Sequence, residues 1–158
     1  MGRCGSFCRR LCSESDAMSD NFSIGDFLRS PMAEHAGISN FPTDDVKKQI
    51  YFTMAGLERV RAVLGFSIYV TSGYRSEALN YAVGGSVNSQ HCRGEAVDFT
   101  CPLFGNPHDV AKFLSQWMRV LGIDQLIFEG TWVHCSFTLN PRYLALTKSG
   151  DKYITGIS

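Results

Sequence analysis

The chain has 158 residues, of which 44% are hydrophobic and 19% are charged, and this balance is typical of one globular domain with a buried core. The 15 basic residues balance the 15 acidic ones, so no overall field attracts nucleic acid or an anionic membrane surface. No stretch is as long as the roughly 18 apolar residues of a membrane span, and the start lacks the apolar core of a secretory signal. We therefore expect synthesis in the cytoplasm, no stable membrane insertion, no nucleic-acid partner and a monomer. The six cysteines are too dispersed for the framework of a small secreted domain, so free thiols are expected.

Residues 1–20 carry glycine, serine, arginine and cysteine with little apolar periodicity. They are predicted to form a flexible extension before a domain of residues 21–158, and Met18 is an alternative start. The opening MGRCGS also fits the pattern for N-myristoylation, with Gly2 and Ser6 at the required positions. A lipid-anchored signalling protein is therefore one hypothesis for this end, and chance occurrence of a short motif is the other.

The first half of the domain predicts a helical scaffold. NFSIGDFLRS and PMAEHAGI predict short lead-in helices. Thr43 can cap a long helix that ends before Gly65, and its apolar side chains recur at helical steps: Ile50, Met54, Leu57, Val60 and Leu64. FSIYVTSG then predicts a strand, and SEALNYAV predicts a short helix.

The second half adds another helix and several strands. Asn106 and Pro107 begin a predicted long helix that runs to Gly122, with a buried face formed by Val110, Phe113, Leu114, Trp117 and Leu121. AVDFT, DQLIF and TWVHCSF predict three short strands, and the tail NPRYLALTKSGDKYITGIS is long enough for one or two more. Helices and strands without a regular alternation indicate an α+β fold with a small antiparallel sheet packed with helices.

Two of these strands each carry one potential metal ligand on a defined face. In AVDFT, alternation turns Asp98 away from its apolar neighbours, and in TWVHCSF it does the same for His134. His91 precedes Asp98 by an odd number of positions, but a turn at Gly94 can fold it back to the same side. Two imidazoles and a carboxylate suit zinc, and three protein ligands leave a position for the water that attacks a peptide carbonyl. Taken singly, either histidine is better explained as a loop or core residue.

The segments SGYRSEALNYAVGGSVNSQHCRGEAVDF and DQLIFEGTWVHCSF, with the lead-in FLRSPMAEHAGISNFP, resemble the zinc D-Ala-D-Ala carboxypeptidase family, which has the hedgehog/DD-peptidase fold. Phage endolysins and vancomycin-resistance peptidases belong to this family. The resemblance runs from about Asn21 to Thr138 and implies that His91, Asp98 and His134 bind Zn²⁺. It also implies hydrolysis of a bond in the stem peptide of bacterial peptidoglycan, by a D,D-carboxypeptidase or an endopeptidase. A phage lysis enzyme or virion component that reaches the cell wall after release is the implied context.

The resemblance also indicates residues that contact the substrate. Arg75 matches the arginine of S-G-Y-R-S, which contacts substrate in the family and helps to stabilise the oxyanion. A guanidinium suits this role because it donates to carbonyl and carboxylate oxygens, although a structural arginine is the alternative. Ser89, Tyr74 and Trp132 are further candidates for substrate contact. A turn serine and aromatic residues of the core or rim are their alternatives.

The residue that transfers protons is less well defined. Family members commonly place a carboxylate three residues before the last histidine ligand, where this chain has Thr131. Glu129 is the nearest carboxylate and is predicted to be the general base, because Gly130 permits the loop to curl inward. Glu95 is the competitor, but strand alternation points it away from the ligand face. The missing acid at Thr131 supports an alternative, a non-catalytic zinc-binding virion or structural module of the same fold.

Overall fold

The computed structural model describes residues 19–158, and the prediction of a flexible or lipid-modified start therefore falls, except for Ser19 and Asp20, outside the described residues. The described chain is an α+β fold in which helices pack against one six-stranded sheet, as predicted. Between residues 19 and 158 no helix is both long and apolar enough to cross a bilayer.

The main helices begin at residues whose side chains cap them. Each capping oxygen accepts a hydrogen bond from the backbone N–H three residues later, and the caps are Ser23, Ser30, Thr43, Ser76 and Asn106. The helices are α1 Ile24–Leu28, α2 Pro31–Ala36, α3 Asp44–Leu64, α4 Glu77–Ala82, α5 Pro107–Ser115 and α6 Met118–Leu121. A 3₁₀ turn, Gln90–Arg93, lies between α4 and the second strand.

The prediction of a second long helix is wrong for the last third of its length. It ends at Ser115, and a separate short helix, α6, follows. The N–H groups of Gln116 and Trp117 donate to the carbonyls of Phe113 and Leu114, three residues back, which tightens the turn and breaks the α-helical repeat. As a result Trp117, predicted to be buried, is 42% exposed.

The sheet has the strand order β1-β2-β4-β3-β5-β6. The strands are β1 Tyr69–Ser72, β2 Ala96–Thr100, β3 Gln125–Phe128, β4 Val133–Ser136, β5 Leu144–Ser149 and β6 Lys152–Thr155. The pairs are antiparallel as predicted, except that β5 runs parallel to β3. The tail was expected to supply one or two strands and supplies two. The chain crosses back from β4 past β3 to reach β5, so β5 and β6 extend the sheet beyond β3.

One face of the sheet forms the hydrophobic core with α3. The inward side chains of β2 and β4 are fully buried, and so are the residues of the predicted α3 stripe that meet them, among them Val97, Phe99, Val133, Cys135, Ile50 and Leu57. Phe137 follows β4 and packs directly over Gly56 of α3, where a side chain would overlap with the phenyl ring. The opposite face of the sheet is therefore free to carry polar side chains.

Replacement of Gly56 by alanine tests this close packing. Although alanine is the better helix former, its methyl group would overlap with the Phe137 ring, and we expect the free energy of unfolding to fall by about 1–3 kcal/mol. Gly25→Ala in α1 is the matched control, because a methyl group there meets only ordinary contacts and should be neutral or stabilising by up to about 1 kcal/mol. Urea unfolding of both variants measures the difference, and equal stability of the two would contradict the packing described.

Candidate metal centre

The antiparallel pairing of β2 with β4 brings two polar side chains together. Asp98 lies directly opposite His134 in this pair, and both residues are buried. Their neighbours in sequence point into the core on the other face. The predicted meeting of Asp98 and His134 on adjacent strands is thus confirmed.

His91 reaches the same place from the 3₁₀ turn. Ser89 caps this turn by accepting a hydrogen bond from the N–H of His91, and Gly94 ends it with a φ of 72°. A Cβ atom at Gly94 would lie about 3 Å from Val46 and Ile50 of α3, so both the backbone angle and the space require glycine. The predicted reversal of the chain before β2 is confirmed, and its form is a 3₁₀ turn.

Three ligand-type atoms converge at this point. The Nε2 atom of His91 lies 3.2 Å from Oδ1 of Asp98 and 3.3 Å from Nδ1 of His134, and the third separation, between Nδ1 of His134 and Oδ1 of Asp98, is 2.9 Å. A tetrahedral zinc site with bonds of about 2.0–2.1 Å places its ligand atoms about 3.3 Å apart. The triangle therefore has the size that such an ion requires.

Hydrogen bonds from outside the triangle orient two of its members. The backbone carbonyl of Gly73 lies 2.6 Å from Nδ1 of His91 and can only accept, so this nitrogen carries the hydrogen. In the neutral imidazole, Nε2 then offers a lone pair toward Asp98. Arg75 donates to Oδ2 of Asp98 at 2.9 Å and leaves Oδ1 directed at the histidines. With both imidazoles neutral and these nitrogens unprotonated, the three electron pairs can bind one cation between them.

Charge and burial act in opposite directions on Asp98. Burial alone would raise the pKa of this carboxyl group. In the metal-free site, protonated His91 and His134 outweigh burial through their charges and the hydrogen bonds that they then donate, and they hold the pKa well below its usual range. The carboxylate is therefore ionised, as a metal ligand must be. Within residues 19–158, these three residues are the one group of histidine, cysteine or acidic side chains with the spacing to hold a metal ion. Cys92 and Cys135, although adjacent to His91 and His134 in sequence, do not join it.

The other predicted site residues line one open cleft around the triangle. Its volume is about 1260 Å³, and Tyr74, Arg75, Ser89, Glu129 and Trp132 all contribute to its wall. The indole N–H of the tryptophan is buried and has no hydrogen-bond partner within the described chain. The serine already caps the 3₁₀ turn, which is the structural alternative predicted for it. The functional roles of these five residues stay predictions.

Glu129 lies at the end of β3 on the cleft side. Its backbone pairs with Trp132, and Gly130 completes the tight turn between them with a φ of 81°. The Glu129 carboxylate is largely buried and accepts a hydrogen bond from Lys148 at 3.1 Å. Thr131, at the usual position of the acid, is exposed at the tip of the same turn and does not line the cleft.

A second buried carboxylate, Asp124, was missed in the sequence. It is 1% exposed and accepts hydrogen bonds from Gln90, Ser136 and Arg142. Because Gln90 precedes His91, this network ties the 3₁₀ turn to the start of β3 and the end of β4. Asp124 directly precedes an apolar strand. The alternation of DQLIF was the one signal in the sequence that indicated a buried Asp124 side chain.

Glu95 forms part of the same end of the cleft. Its carboxylate pairs with Arg93 at 2.8 Å and receives a weaker hydrogen bond from Gln90. It lines the same cleft as Asp98 without joining the metal-type cluster. The prediction that alternation turns it away from the ligand face is therefore wrong, because Glu95 precedes β2 and is not bound by the alternation of that strand.

The sheet holds two imidazoles and a carboxylate at the floor of a wide cleft. This arrangement is typical of metal-dependent hydrolases, and that is the class of protein with which the chain is to be compared. The profile of the family described as Peptidase M15 matches residues 20–136 of this chain. The match covers most of the sequence, and the chain belongs to the peptidase M15 family. No curated protein matches the sequence.

Replacement of Asp124 by asparagine tests the network that supports the 3₁₀ turn. Burial alone would raise the pKa of Asp124, but Arg142 and the other donors outweigh it and hold the pKa below the value of about 3.9 expected in the unfolded chain. This group therefore stabilises the fold above about pH 4, and the contribution is lost as the pH falls through the lower, folded-state pKa.

At pH 7 we expect Asp124→Asn to lower the free energy of unfolding by about 2–3 kcal/mol, because a buried charged acceptor is lost. The difference from wild type should shrink steadily between about pH 5 and pH 2. Urea titrations at each pH, with a chelator present, measure this difference in unfolding free energy without interference from metal. A difference that stays constant with pH would contradict the assignment.

Proposed function

We propose that this chain is a zinc-dependent peptidase that hydrolyses a peptide bond in bacterial peptidoglycan. The observation that carries the proposal is the buried triangle of His91, Asp98 and His134, with a separation suited to zinc, in a chain of the peptidase M15 family. Zinc is favoured over Mg²⁺ or Ca²⁺ because two of the three donors are imidazole nitrogens. When bound there, zinc supplies a Lewis acid that polarises the carbonyl and lowers the pKa of the attacking water.

Arg75 is proposed to hold the substrate carbonyl. Its Nε atom donates to the Ser72 hydroxyl and its Nη2 atom donates to Asp98, so the guanidinium is fixed at the edge of the ligand triangle. The remaining N–H groups are available for a carbonyl oxygen that gains negative charge during attack. Arg75 would then both orient one metal ligand and stabilise the oxyanion.

Glu129 is proposed to move the proton. One of its carboxylate oxygens, Oε2, is bound by Lys148, which leaves Oε1 to accept a proton from the attacking water. The same carboxyl group can then donate that proton to the departing amine nitrogen as the C–N bond breaks. Strand alternation supports this role, because Glu129 follows Ile127 on the face of β3 that lies beside His134.

The size of the cleft supports a peptide of several residues as substrate. Sites for small molecules commonly have volumes of about 300–1,000 Å³, and this cleft is larger and open to solvent. The stem peptide of peptidoglycan, cut by a carboxypeptidase or endopeptidase activity, is the proposed substrate. A phage-type lysis enzyme is the proposed context, on the strength of the sequence resemblance.

A non-catalytic zinc-binding module is the second candidate. It is favoured by the absence of an acid at Thr131 and by the ion pair that engages Glu129 with Lys148. The two candidates differ in a single observable property, turnover of peptidoglycan.

Digestion of purified peptidoglycan, with products identified by mass spectrometry, tests the enzyme proposal. We expect new peptide termini with the zinc-loaded protein, loss of these products with chelator, and recovery when zinc is restored. The mass of the products also identifies the bond that is cut. No chelator-sensitive product, from protein shown to contain zinc, would reject the enzyme and leave the binding module.

Glu129→Gln separates proton transfer from metal binding. Glutamine keeps the shape but not the basicity, so we expect turnover to fall by about 10²–10⁴-fold while the zinc content is unchanged. Glu95→Gln is the matched control, because Glu95 also lines the cleft and also pairs with a cation, yet should retain activity within about threefold. Metal analysis and initial rates provide both measurements, and equal activity of the two variants would exclude Glu129 as the base.

A further inference from the structure

The last two strands form part of the cleft although they lie outside the region that matches the family. The match ends at residue 136, whereas β5 and β6 span Leu144–Ser149 and Lys152–Thr155. We call these two strands the C-terminal hairpin. Leu146, Lys148 and Tyr153 of the hairpin line the same cleft as the ligand triangle. The hairpin therefore extends the wall and the floor of the cleft beyond the part formed by the region that matches the family.

The register of the sheet shows how the hairpin continues the site. In one row across the strands, His134 lies beside Ile127, and Ile127 lies beside Leu146. In the next row, Glu129 follows β3 beside Lys148, and Lys148 lies opposite Tyr153. One row thus forms an apolar floor that leads away from the ligands. The other carries charged and aromatic side chains.

The length of this surface is that of an extended peptide. Four strand spacings of roughly 4.8 Å separate β2, which carries Asp98, from β6, a distance of about 19 Å. An extended chain rises about 3.3 Å per residue, so five or six residues would span it. A terminal dipeptide placed at the ligands would not reach the hairpin.

The side chains of the hairpin suit an acidic peptide. The Lys148 side chain is 41% exposed, and its ammonium group uses one of its three N–H donors on Glu129. Tyr153 is 54% exposed and offers an aromatic face with a hydroxyl tip. A carboxylate can bind the free donors of the ammonium group while the aliphatic part of the peptide packs on Leu146 and Tyr153.

We propose that the C-terminal hairpin is a substrate subsite that binds an acidic segment of the peptide remote from the scissile bond, with Lys148 donating to a carboxylate and Tyr153 packing beside it. The inference rests on the proposed peptidase function and deepens it. It makes the chain selective for long or crosslinked stem peptides over short terminal ones, because only the long substrates reach the hairpin.

Two substrates that share the scissile bond but differ in length test the subsite. The long one is a crosslinked stem peptide and the short one is a fragment truncated to the residues next to the bond. The variants are Lys148→Met, Lys148→Arg and Tyr153→Ser. Lys152→Met is the matched control, because Lys152 belongs to the same hairpin but alternates to the other face and does not line the cleft.

On the long substrate we expect Lys148→Met to lower kcat/KM by about 10-fold, mainly through KM, because one charge-assisted hydrogen bond is lost. Tyr153→Ser should cause a loss of several fold, Lys148→Arg should retain most of the activity, and Lys152→Met should match wild type. On the short substrate Tyr153→Ser and Lys152→Met should lie within about twofold of wild type. Lys148→Met also removes the ion-pair partner of Glu129, so the subsite is measured by its loss on the long substrate, which should exceed any change on the short one by about 10-fold. Equal losses on both substrates would mean that Lys148 acts only through Glu129, and this result would overturn the subsite, as would no loss on either.

A binding measurement keeps the test independent of turnover. Calorimetry with a stem pentapeptide and the zinc-loaded protein should show about 10-fold weaker binding to Lys148→Met and unchanged binding to Lys152→Met. If wild type binds in this way but cleaves nothing, the peptidase proposal fails and the subsite stands. If wild type does not bind the pentapeptide, or binds it as well as Lys148→Met does, the subsite is rejected.

Discussion

The site depends on the antiparallel pairing of β2 with β4. This pairing sets Asp98 directly opposite His134 on one face, and it buries Val97 and Cys135 in the core on the other. A shift of one residue in register would exchange the two faces and place the charged pair in the core. The hydrophobic burial that stabilises the sheet and the geometry of the metal-type ligands are therefore two results of one constraint.

The 3₁₀ turn supplies the third ligand, and its backbone restricts which residues the sequence can have there. Gly94 must be glycine because its φ is positive and because α3 leaves no room for a side chain. Asp124 ties the turn to β3 and β4 through Gln90 and Ser136. A buried carboxylate outside the ligand triangle thus holds in place a histidine that is proposed to bind zinc, and stability and function share these residues.

Two cationic side chains beside the triangle each have a partner of opposite sign. Arg75 pairs with Asp98, and Lys148 pairs with Glu129. In a partly buried cleft such pairs reduce the desolvation cost of each charge. They also keep donors and acceptors oriented before a substrate arrives, so that a peptide with carbonyl and carboxylate oxygens meets a surface that is already arranged. The proposed roles of Arg75, Glu129 and Lys148 all depend on this arrangement.

Local signals in the sequence determined most of the elements and the ligand triangle. Capping residues and apolar periodicity placed α3 and most of the strands, since these patterns depend on neighbours in the chain. The period of two along AVDFT and TWVHCSF placed Asp98 and His134, and the motif resemblance joined His91 to them. Only the tertiary structure decided the break after Ser115, the parallel pairing of β5 with β3, and the convergence of Asp124 and Lys148 on the site. The strand pairing and this convergence depend on contacts between segments that are distant in sequence, and no local pattern records which segments will meet. The break after Ser115 is a local tightening of the backbone that the apolar periodicity does not reveal.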